Sequence, residues 1–327
     1  MLFIKTNFFN PAYNLACEEY YYRETKEDVF MLWQNDPVVV IGKNQNLYDE
    51  VDLDYAQEQG IGVIRRITGG GAVYHDHGNV NYTFITSREK ARSLDFEYFT
   101  RPIVMALGQM GVNATLSGRN DLLVDGRKIS GNAQTADQQR ILHHGTLLFQ
   151  SDLGVLSRVL KPDPAKGYGK KIQSVRSRVA NICEFLPVTQ QGIGDFIRRL
   201  EGFVDSLYGC RPQIADPHAV MAAPYTDKYN QEDWIYGRKL HYDYKLKKRY
   251  PFGTLVLCFN LSQGTLADLH FEGDFFSLQD TRPLENALCG VAYDLNALEQ
   301  ALSSLELSRY FTPLTNAELL QHFFQEQ

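Results

Sequence analysis

The feature that most constrains this chain is a run of three glycines, Gly69-Gly70-Gly71, at the end of the strand-like segment 62–67. Two arginines, Arg65 and Arg66, stand just before the segment ends. Glycine has no Cβ, so such a backbone can turn sharply, approach a ligand closely and offer its N–H groups to phosphate oxygens. The spacing fits neither the P-loop nor the dinucleotide-binding pattern. The run therefore indicates either an anion-binding loop of another type or a tight connection between two strands.

Two further clusters of polar residues and glycines follow at residues 118–133 and 143–149. In the first cluster, the dipeptide Asp125-Gly126 lies between two β-rich pieces and predicts a hairpin with a type I′ turn. That hairpin places Asp121 and Lys128 on paired strands, and the register decides whether the two side chains share a face. A carboxylate and an ammonium group are therefore expected near one another.

Composition limits the class of protein. A chain of 327 residues that is 44% hydrophobic can bury a large core, and its length suggests two domains. The net charge of −6 argues against nucleic acid as the main partner, because proteins that bind it usually carry a basic surface. The five cysteines are scattered and show no C-x-x-C spacing, which is typical of a reducing compartment. No segment resembles a signal peptide or a membrane span, so we expect a cytoplasmic protein.

Periodicity and turn signals predict an α+β fold. A basic run at residues 245–249 suggests a boundary that divides the chain into a catalytic domain, 1–248, and a small α+β domain, 249–327. Residues 161–171 combine prolines, glycines and lysines, and predict a mobile loop that could close over an anionic ligand. The predicted helices span residues 10–23, 48–59, 96–110, 152–160, 193–207, 294–304 and 316–325. The predicted strands span 1–5, 63–67, 79–87 and 140–150, with hairpins at 29–42, 122–129 and 255–271.

The three clusters, in this order and at these separations, resemble the signature of the lipoate-protein ligase family. The resemblance also covers residues 174–179 and 233–237 and extends over most of the chain. It implies a mixed β-sheet flanked by helices, as in biotin and lipoate protein ligases, with a small C-terminal accessory domain. It further implies that lipoate and Mg-ATP react to lipoyl-adenylate, and that the acyl group is passed to a lysine of an apo-lipoyl domain. The acceptors of the family belong to 2-oxoacid dehydrogenase complexes and to the glycine cleavage H protein.

The resemblance also implies a set of site residues. Lys128 matches the lysine that contacts the acyl carbonyl and the α-phosphate, and it is the expected catalytic residue. Asp121 matches an aspartate beside the adenylate and the Mg²⁺ ion. The other residues expected to bind ATP or lipoyl-adenylate are Arg66, Gly71, Ala72, Val73, Tyr74, Asn79 and His144. Each polar member also has a purely structural interpretation, such as a solvated lysine or a hydrogen-bonded polar group in the core.

Three alternatives stay open on the sequence. An octanoyl or lipoyl transferase of the same fold would need a thiolate nucleophile, and no cysteine lies in a motif that marks one. A biotin ligase would carry a different glycine- and arginine-rich loop. A non-catalytic module that binds lipoyl-adenylate or lipoyl domains would not need Lys128, Asp121 and Arg66 together. The sequence does not decide between lipoate and octanoate as the preferred acid.

Overall fold

A computed structural model describes residues 1–161, 178–190, 192–237, 241–277, 279–311 and 313–325. All but the first residue of the predicted closing loop, 161–171, lies outside the described residues. The described strands are β1 (Leu2–Lys5), β2 (Val29–Trp33), β3 (Val38–Ile41), β4 (Gly62–Arg65), β5 (Val73–His75), β6 (Asn79–Ser87), β7 (Thr115–Ser117), β8 (Asp121–Val124), β9 (Arg127–Ala136), β10 (Arg140–Leu148), β11 (Pro212–Ile214), β12 (Tyr244–Tyr250), β13 (Gly253–Ser262) and β14 (Thr265–Gly273). The described α-helices are α1 (Pro11–Glu24), α2 (Leu47–Glu50), α3 (Leu53–Glu58), α4 (Phe96–Gln109), α5 (Leu153–Val159), α6 (Ile193–Tyr208), α7 (Pro217–Ala222), α8 (Glu232–Tyr236), α9 (Arg282–Leu288), α10 (Leu295–Ser303) and α11 (Asn316–Phe323).

The main sheet has eight strands in the order β11-β1-β2-β6-β10-β9-β8-β7. Its first three strands are parallel and the remaining pairs are antiparallel, so the sheet is mixed, as predicted. The hairpin at Asp125-Gly126 is confirmed, and both of its turn residues have positive φ, 50° and 76°. Strand β6 is confirmed at its predicted bounds, 79–87. The predicted α+β class with helices flanking a mixed sheet is therefore confirmed.

Both faces of the main sheet are covered. On one face, Tyr82 and Phe84 of β6 pack against apolar residues of α4 and α6, including Phe99 and Phe196. On the other face, Met31 and Trp33 of β2 pack against α1 and against a second sheet. Alternate residues of one strand point to opposite faces, so a sheet covered on both sides buries every position of its central strands. The site described below lies on the second face.

The second sheet corrects one prediction. Strands β2 and β3 do not form a hairpin, because β2 pairs with β1 and β6 while β3 pairs with β4 and β5. Every residue of both strands is buried, so the sequence carried no polar alternation that could have set their pairing. The three-stranded sheet β4-β3-β5 lies on the same side of the main sheet as α1. The space between the two sheets becomes the candidate site.

The single helix predicted at 48–59 is also wrong in its length. The chain forms two short helices, α2 and α3, separated at Val51, which is fully buried and bridges to Leu160. Asp52 then caps α3 by accepting a hydrogen bond from the backbone N–H of Tyr55 at 3.1 Å. Burial of Val51 beside Leu160, at the end of α5, outweighs the local preference for one continuous helix.

The C-terminal part has its own antiparallel sheet, β12-β13-β14, with helices α9, α10 and α11 and a separate apolar core. The predicted hairpin and the two predicted terminal helices are confirmed. Strand β12 crosses residue 248 and pairs along its whole length with β13. The division into two domains stays a prediction, and strand pairing favours a division before Tyr244 over one at 248. None of the described helices is long and apolar enough to cross a membrane.

We expect Gly78→Ala to lower the free energy of unfolding by about 2 kcal/mol or more. Gly78 joins β5 to β6, and its carbonyl accepts hydrogen bonds from the N–H groups of Phe149 and Gln150. A Cβ at this position would overlap the backbone of Gln150, which cannot move without breaking these bonds. The measurement is urea unfolding. As a control, Gly108→Ala in α4 meets no atom within 4 Å and should be neutral or slightly stabilising.

Candidate functional site

A cavity lies between the main sheet and the three-stranded sheet. Six of the predicted site residues line it: Arg66, Gly71, Ala72, Val73, Lys128 and His144. Three do not, namely Tyr74, Asn79 and Asp121. The other lining residues are Leu15, Trp33, Val40, His75, Asn81, Asn120, Gly131, Asn132, Ala133, Gly145 and Thr146. The structure therefore brings together residues from all three sequence clusters.

The three glycines have different environments. A Cβ on Gly69 would overlap the carbonyl oxygen of Phe275, and a Cβ on Gly70 would approach the ring of Phe276. Gly70 also has φ of 88°, a conformation that other residues rarely adopt. Only Gly71 lines the cavity. The first two glycines are thus required by close packing against the C-terminal part, while the third leaves the backbone open to a ligand.

Arg66 holds this loop in shape. Its guanidinium donates hydrogen bonds to the carbonyls of Val40, Gly69 and Gly71 and to the Thr68 hydroxyl, at 2.7–2.9 Å. Arginine has five N–H donors, so one remains beyond these four bonds. Burial lowers the pKa of Arg66 to about 10, which still leaves it charged at neutral pH. The arginine therefore fixes the loop and adds a positive charge to the cavity wall.

Arg65 binds the other side of the same strand end. It donates to the carbonyls of Gly42 and Gln45 and to that of Trp234 in α8. The Trp234 indole N–H donates in return to the Arg65 carbonyl at 2.9 Å. The motif at residues 233–237 is thereby tied to the glycine-loop strand, although it does not line the cavity.

His144 belongs to a buried hydrogen-bonded chain that the sequence did not reveal. Its Nε2 lies 2.9 Å from Thr68 Oγ1, and its Nδ1 lies 3.0 Å from a carboxylate oxygen of Glu18. The Thr68 oxygen already accepts from Arg66, so its hydroxyl hydrogen can be donated to His144 Nε2. The Nδ1–H of His144 then donates to Glu18, which also accepts from Thr83. Glu18 therefore supports the loop through His144.

Lys128 and Asp121 form an ion pair, with Nζ and Oδ1 2.8 Å apart and both side chains 35% exposed. The register, which the sequence left open, brings the two side chains to one face. A Cβ on Gly131 would lie 3.0 Å from Lys128 Nζ, so this glycine makes room for the ammonium group. Asp121 reaches the site only through this lysine, since it is not among the residues that line the cavity.

Tyr74 and Asn79 lie near the cavity but do not line it. The Tyr74 side chain packs into the apolar core on the outer side of the three-stranded sheet, away from the cavity. Asn79 donates from Nδ2 to Asn81 Oδ1 at 2.8 Å, and Asn81 lines the cavity. A ligand contact of the Tyr74 backbone N–H and one of the Asn79 side chain remain predictions. Asn81 is a polar residue in the otherwise buried part of strand β6, and this pattern is the sequence signal that could have identified it.

Asn132 is a second residue that sequence analysis did not assign to the site. Its Oδ1 accepts from the Tyr82 hydroxyl and lies 3.2 Å from His143 Nε2. Its Nδ2 donates to the Asn120 carbonyl at 2.9 Å. A Cβ on Gly145 would overlap Asn132 Oδ1, so the small size of Gly145 lets this network form. The described residues contain no group of three or more histidine, cysteine or acidic side chains that could hold a metal ion.

We expect the protein to lose stability as the pH falls from 7 to 5. Burial lowers the pKa of His75 to about 3 and that of His322 to about 4, and it also lowers that of His143. These pKa values lie below the ordinary 6.5 of an unfolded histidine, so the unfolded state binds more protons in this range. Each histidine should contribute about 1–2 kcal/mol to the loss at pH 5. Urea unfolding at several pH values measures this loss. His322→Gln should reduce the dependence of the unfolding free energy on pH, whereas His77→Gln, at an exposed histidine, should not.

Comparison with known families agrees with the site. Residues 10–202 match the lipoyl protein ligase A/B catalytic domain, and residues 239–323 match the bacterial lipoate protein ligase C-terminus. Lipoate-protein ligase LplJ of Bacillus subtilis is 39% identical to this chain and covers 98% of it, over 99% of its own length.

Solved structures show the same fold. P. falciparum LipL1 in complex with lipoate has a TM-score of 0.79 at 25% identity and covers 99% of both chains. A bipartite lipoate protein ligase from Thermoplasma acidophilum, analysed with its E2 lipoyl domain, has a TM-score of 0.62 at 30% identity, over 73% of this chain and 98% of that one. Lipoate-protein ligase A bound with ATP has a TM-score of 0.60 at 27% identity, over 72% and 99%. Because the catalytic-domain match spans more than half of the sequence and LplJ aligns almost end to end, the chain belongs to the lipoate-protein ligase family.

Proposed function

We propose that this protein is an ATP-dependent lipoate-protein ligase. It converts lipoate and ATP to lipoyl-adenylate and pyrophosphate, and then transfers the lipoyl group to a lysine of an apo-lipoyl domain. The observation that supports this most directly is the cavity between the two sheets. Lys128 and residues 71–73 line it together with apolar Leu15, Trp33 and Val40. Such a cavity can take a phosphate-linked carboxyl group and an apolar acyl chain at once.

Lys128 is the proposed catalytic residue in both steps. In the first step, a carboxylate oxygen of lipoate attacks the α-phosphorus and pyrophosphate leaves. In the second, the acceptor lysine attacks the acyl carbon, and AMP leaves with the electron pair of the broken C–O bond. Negative charge grows on the phosphate and carbonyl oxygens, where a fixed ammonium group lowers the barrier. Asp121, 2.8 Å from Lys128 Nζ, positions that ammonium.

The glycine loop is the proposed phosphate-binding element. Gly71, Ala72 and Val73 line the cavity, and Arg66 holds the loop by the carbonyls of Gly69 and Gly71. With its carbonyls turned toward Arg66, the loop can present N–H groups to the phosphate oxygens. Arg66 contributes its charge from behind the loop, and its remaining N–H is the only one available for a direct contact.

Mg²⁺ fits this site as a companion of ATP. The described residues offer no cluster of three protein ligands, but Mg²⁺ bound with nucleotides usually takes one or two carboxylates, phosphate oxygens and water. Asp121 is a partly exposed carboxylate beside Lys128, and it would be that protein ligand. The ion would neutralise negative charge on the phosphate groups of ATP.

A transferase with a thiolate nucleophile is less well supported. None of the five cysteines, all in the described part of the chain, lines the cavity. Burial raises the pKa of every one of these thiols, which makes a thiolate less available. The same five free thiols fit the proposal that the enzyme works in the reducing cytoplasm.

The proposed acceptors are apo-lipoyl domains of 2-oxoacid dehydrogenase complexes and the glycine cleavage H protein.

The proposed function predicts cleavage of ATP between the α- and β-phosphates only when a lipoate-like acid is present, because the carboxylate is the nucleophile. The protein is incubated with ATP, lipoate and a panel of apo-lipoyl domains, and pyrophosphate and the mass of each domain are measured. We expect pyrophosphate, AMP and one lipoyl group added to at least one domain. Release of ADP and phosphate would contradict the adenylation mechanism.

Lys128→Ala should slow adenylation and also slow transfer from supplied lipoyl-adenylate, each by about 10²-fold or more, the scale of losing one oxyanion donor. Lys128→Arg should restore activity only in part, because a planar guanidinium cannot take the place of a compact ammonium. The two half-reactions are measured separately by pyrophosphate release and by domain mass.

The matched control is Lys90→Ala. Lys90 also pairs with an aspartate, Asp28, at 2.6 Å, but its side chain is 59% exposed and lies outside the cavity. Loss of this exposed pair should leave both rates and the fold unchanged. Near-normal rates for Lys128→Ala with an intact fold would rule out the proposed site.

A further inference from the structure

Two buried hydrogen-bond donors on the cavity wall have no partner among the described residues. His75 Nε2 and Asn81 Nδ2 lie in side chains that are 3% and 1% exposed, and neither atom is bonded within the part of the chain that the structure describes. Both residues line the cavity. A buried donor left without a partner costs free energy, so such groups in a binding cavity indicate an acceptor on the ligand.

The direction of the hydrogen bonds around His75 is fixed by backbone carbonyls. Asn14 Nδ2 donates to the carbonyls of Phe8 and Gln34, which can only accept. The same nitrogen lies 2.9 Å from Asn35 Oδ1. Because an amide nitrogen accepts no hydrogen bond, the Asn35 atom that faces it is the oxygen, which shares one of its two hydrogens, and Asn35 Nδ2 faces His75. Asn35 Nδ2 therefore donates to His75 Nδ1 at 3.1 Å. The proton of the neutral imidazole must then be on Nε2, which makes Nε2–H a donor.

The imidazole stays neutral because of its surroundings. Burial, with Arg66 and His144 nearby, lowers the pKa of His75 to about 3. An imidazolium would repel Arg66, whereas a neutral ring places a single N–H at the cavity without adding a charge. The donor is thus constant over the whole neutral pH range.

The sheet register places Asn81 away from Lys128, and the His75 ring lies 6.0 Å from that of Trp33, the strand neighbour of Asn81. Trp33, Asn81 and Thr146 are direct neighbours on β2, β6 and β10. The Thr146 hydroxyl accepts from the Gly131 N–H of β9, and Gly131 pairs with Asp121, the partner of Lys128. Neighbouring strands are about 4.8 Å apart, so Asn81 lies about 10 Å across the sheet from Gly131. A ligand whose carboxyl group is at Lys128 would bring its other end to Asn81 and His75.

The surroundings of this second end are mainly apolar. Leu15, Trp33 and Val40 line the cavity with His75, and the Trp33 and His75 rings are 6.0 Å apart in an edge arrangement. An apolar group that also carries weak acceptors suits such a place better than a hydrocarbon or a strongly polar group. The ring sulfurs of lipoate have this character, because a thioether-like sulfur is a weak acceptor. Octanoate offers only methyl and methylene groups there.

We propose that His75 Nε2–H, assisted by Asn81 Nδ2, donates a hydrogen bond to a dithiolane sulfur of lipoate and so makes lipoate preferred over octanoate. This inference rests on the proposed lipoate ligase function and adds to it the residue that selects the acid. His75 acts as a specificity-determining residue at the end of the acyl chain and takes no part in the acyl transfer itself.

The test compares lipoate with cyclopentyl-pentanoate, in which methylenes replace both ring sulfurs while the shape of the ring is kept. We expect the wild-type protein to show a higher kcat/KM for lipoate in pyrophosphate release. His75→Phe should reduce the lipoate-to-cyclopentyl ratio about tenfold, the scale of one hydrogen bond. His75→Gln, whose amide nitrogen can occupy the place of Nε2, should retain most of the ratio. His77→Phe, an exposed histidine outside the cavity, should not change it.

A spectroscopic measurement tests the same contact without a mutation that could disturb folding. In the wild-type protein labelled with ¹⁵N-histidine, His75 should carry its proton on Nε2, and this N–H resonance should move downfield with lipoate and not with cyclopentyl-pentanoate. An unchanged ratio in His75→Phe, or a resonance that does not distinguish the two acids, overturns the inference and leaves a bound water as the partner of the donors. Failure of the wild type to release pyrophosphate with either acid would overturn the proposed function itself, and this inference with it.

Discussion

The site depends on one buried cation, Arg66. A charge inside a protein is costly unless hydrogen bonds surround it, and four of the arginine's donors find oxygen partners on β3, on Thr68 and on the glycine loop. The guanidinium therefore joins the glycine loop to strand β3. Its positive charge is present before any ligand arrives, so the side of the cavity where we propose that phosphate binds is electropositive in the protein alone.

The rest of the cavity wall is held by polar networks on the inner faces of two sheets. Glu18 and His144 support the loop through Thr68. Asn132 of β9 donates to the Asn120 carbonyl and lies within hydrogen-bond distance of the buried ring of His143. Networks of this kind are stable only when nearly every member is satisfied, and they fix side chains in one arrangement. Two atoms of this wall, His75 Nε2 and Asn81 Nδ2, remain without a partner among the described residues, and they are the positions at which we propose a ligand contact.

Local signals predicted the parts of the fold that local physics controls. The Asp125-Gly126 turn, strand β6 and helix α4 were predictable because glycine conformation and periodicity act over a few residues. The pairing of β2 and β3 was not, since both strands are wholly buried and their partners come from distant segments. The motifs likewise led to Lys128 and His144. Sequence analysis did not identify Glu18, because Glu18 contacts His144 across 126 residues of sequence and only the tertiary fold creates this contact.

The packing of Gly69 and Gly70 against Phe275 and Phe276 has a consequence for biosynthesis. These partners are about 200 residues apart in sequence, and contacts of such separation form late. While the ribosome is still making the C-terminal sheet, the main sheet can already pair, but the glycine loop lacks the surface against which it settles. The glycine loop should thus reach its final packing only near the end of translation.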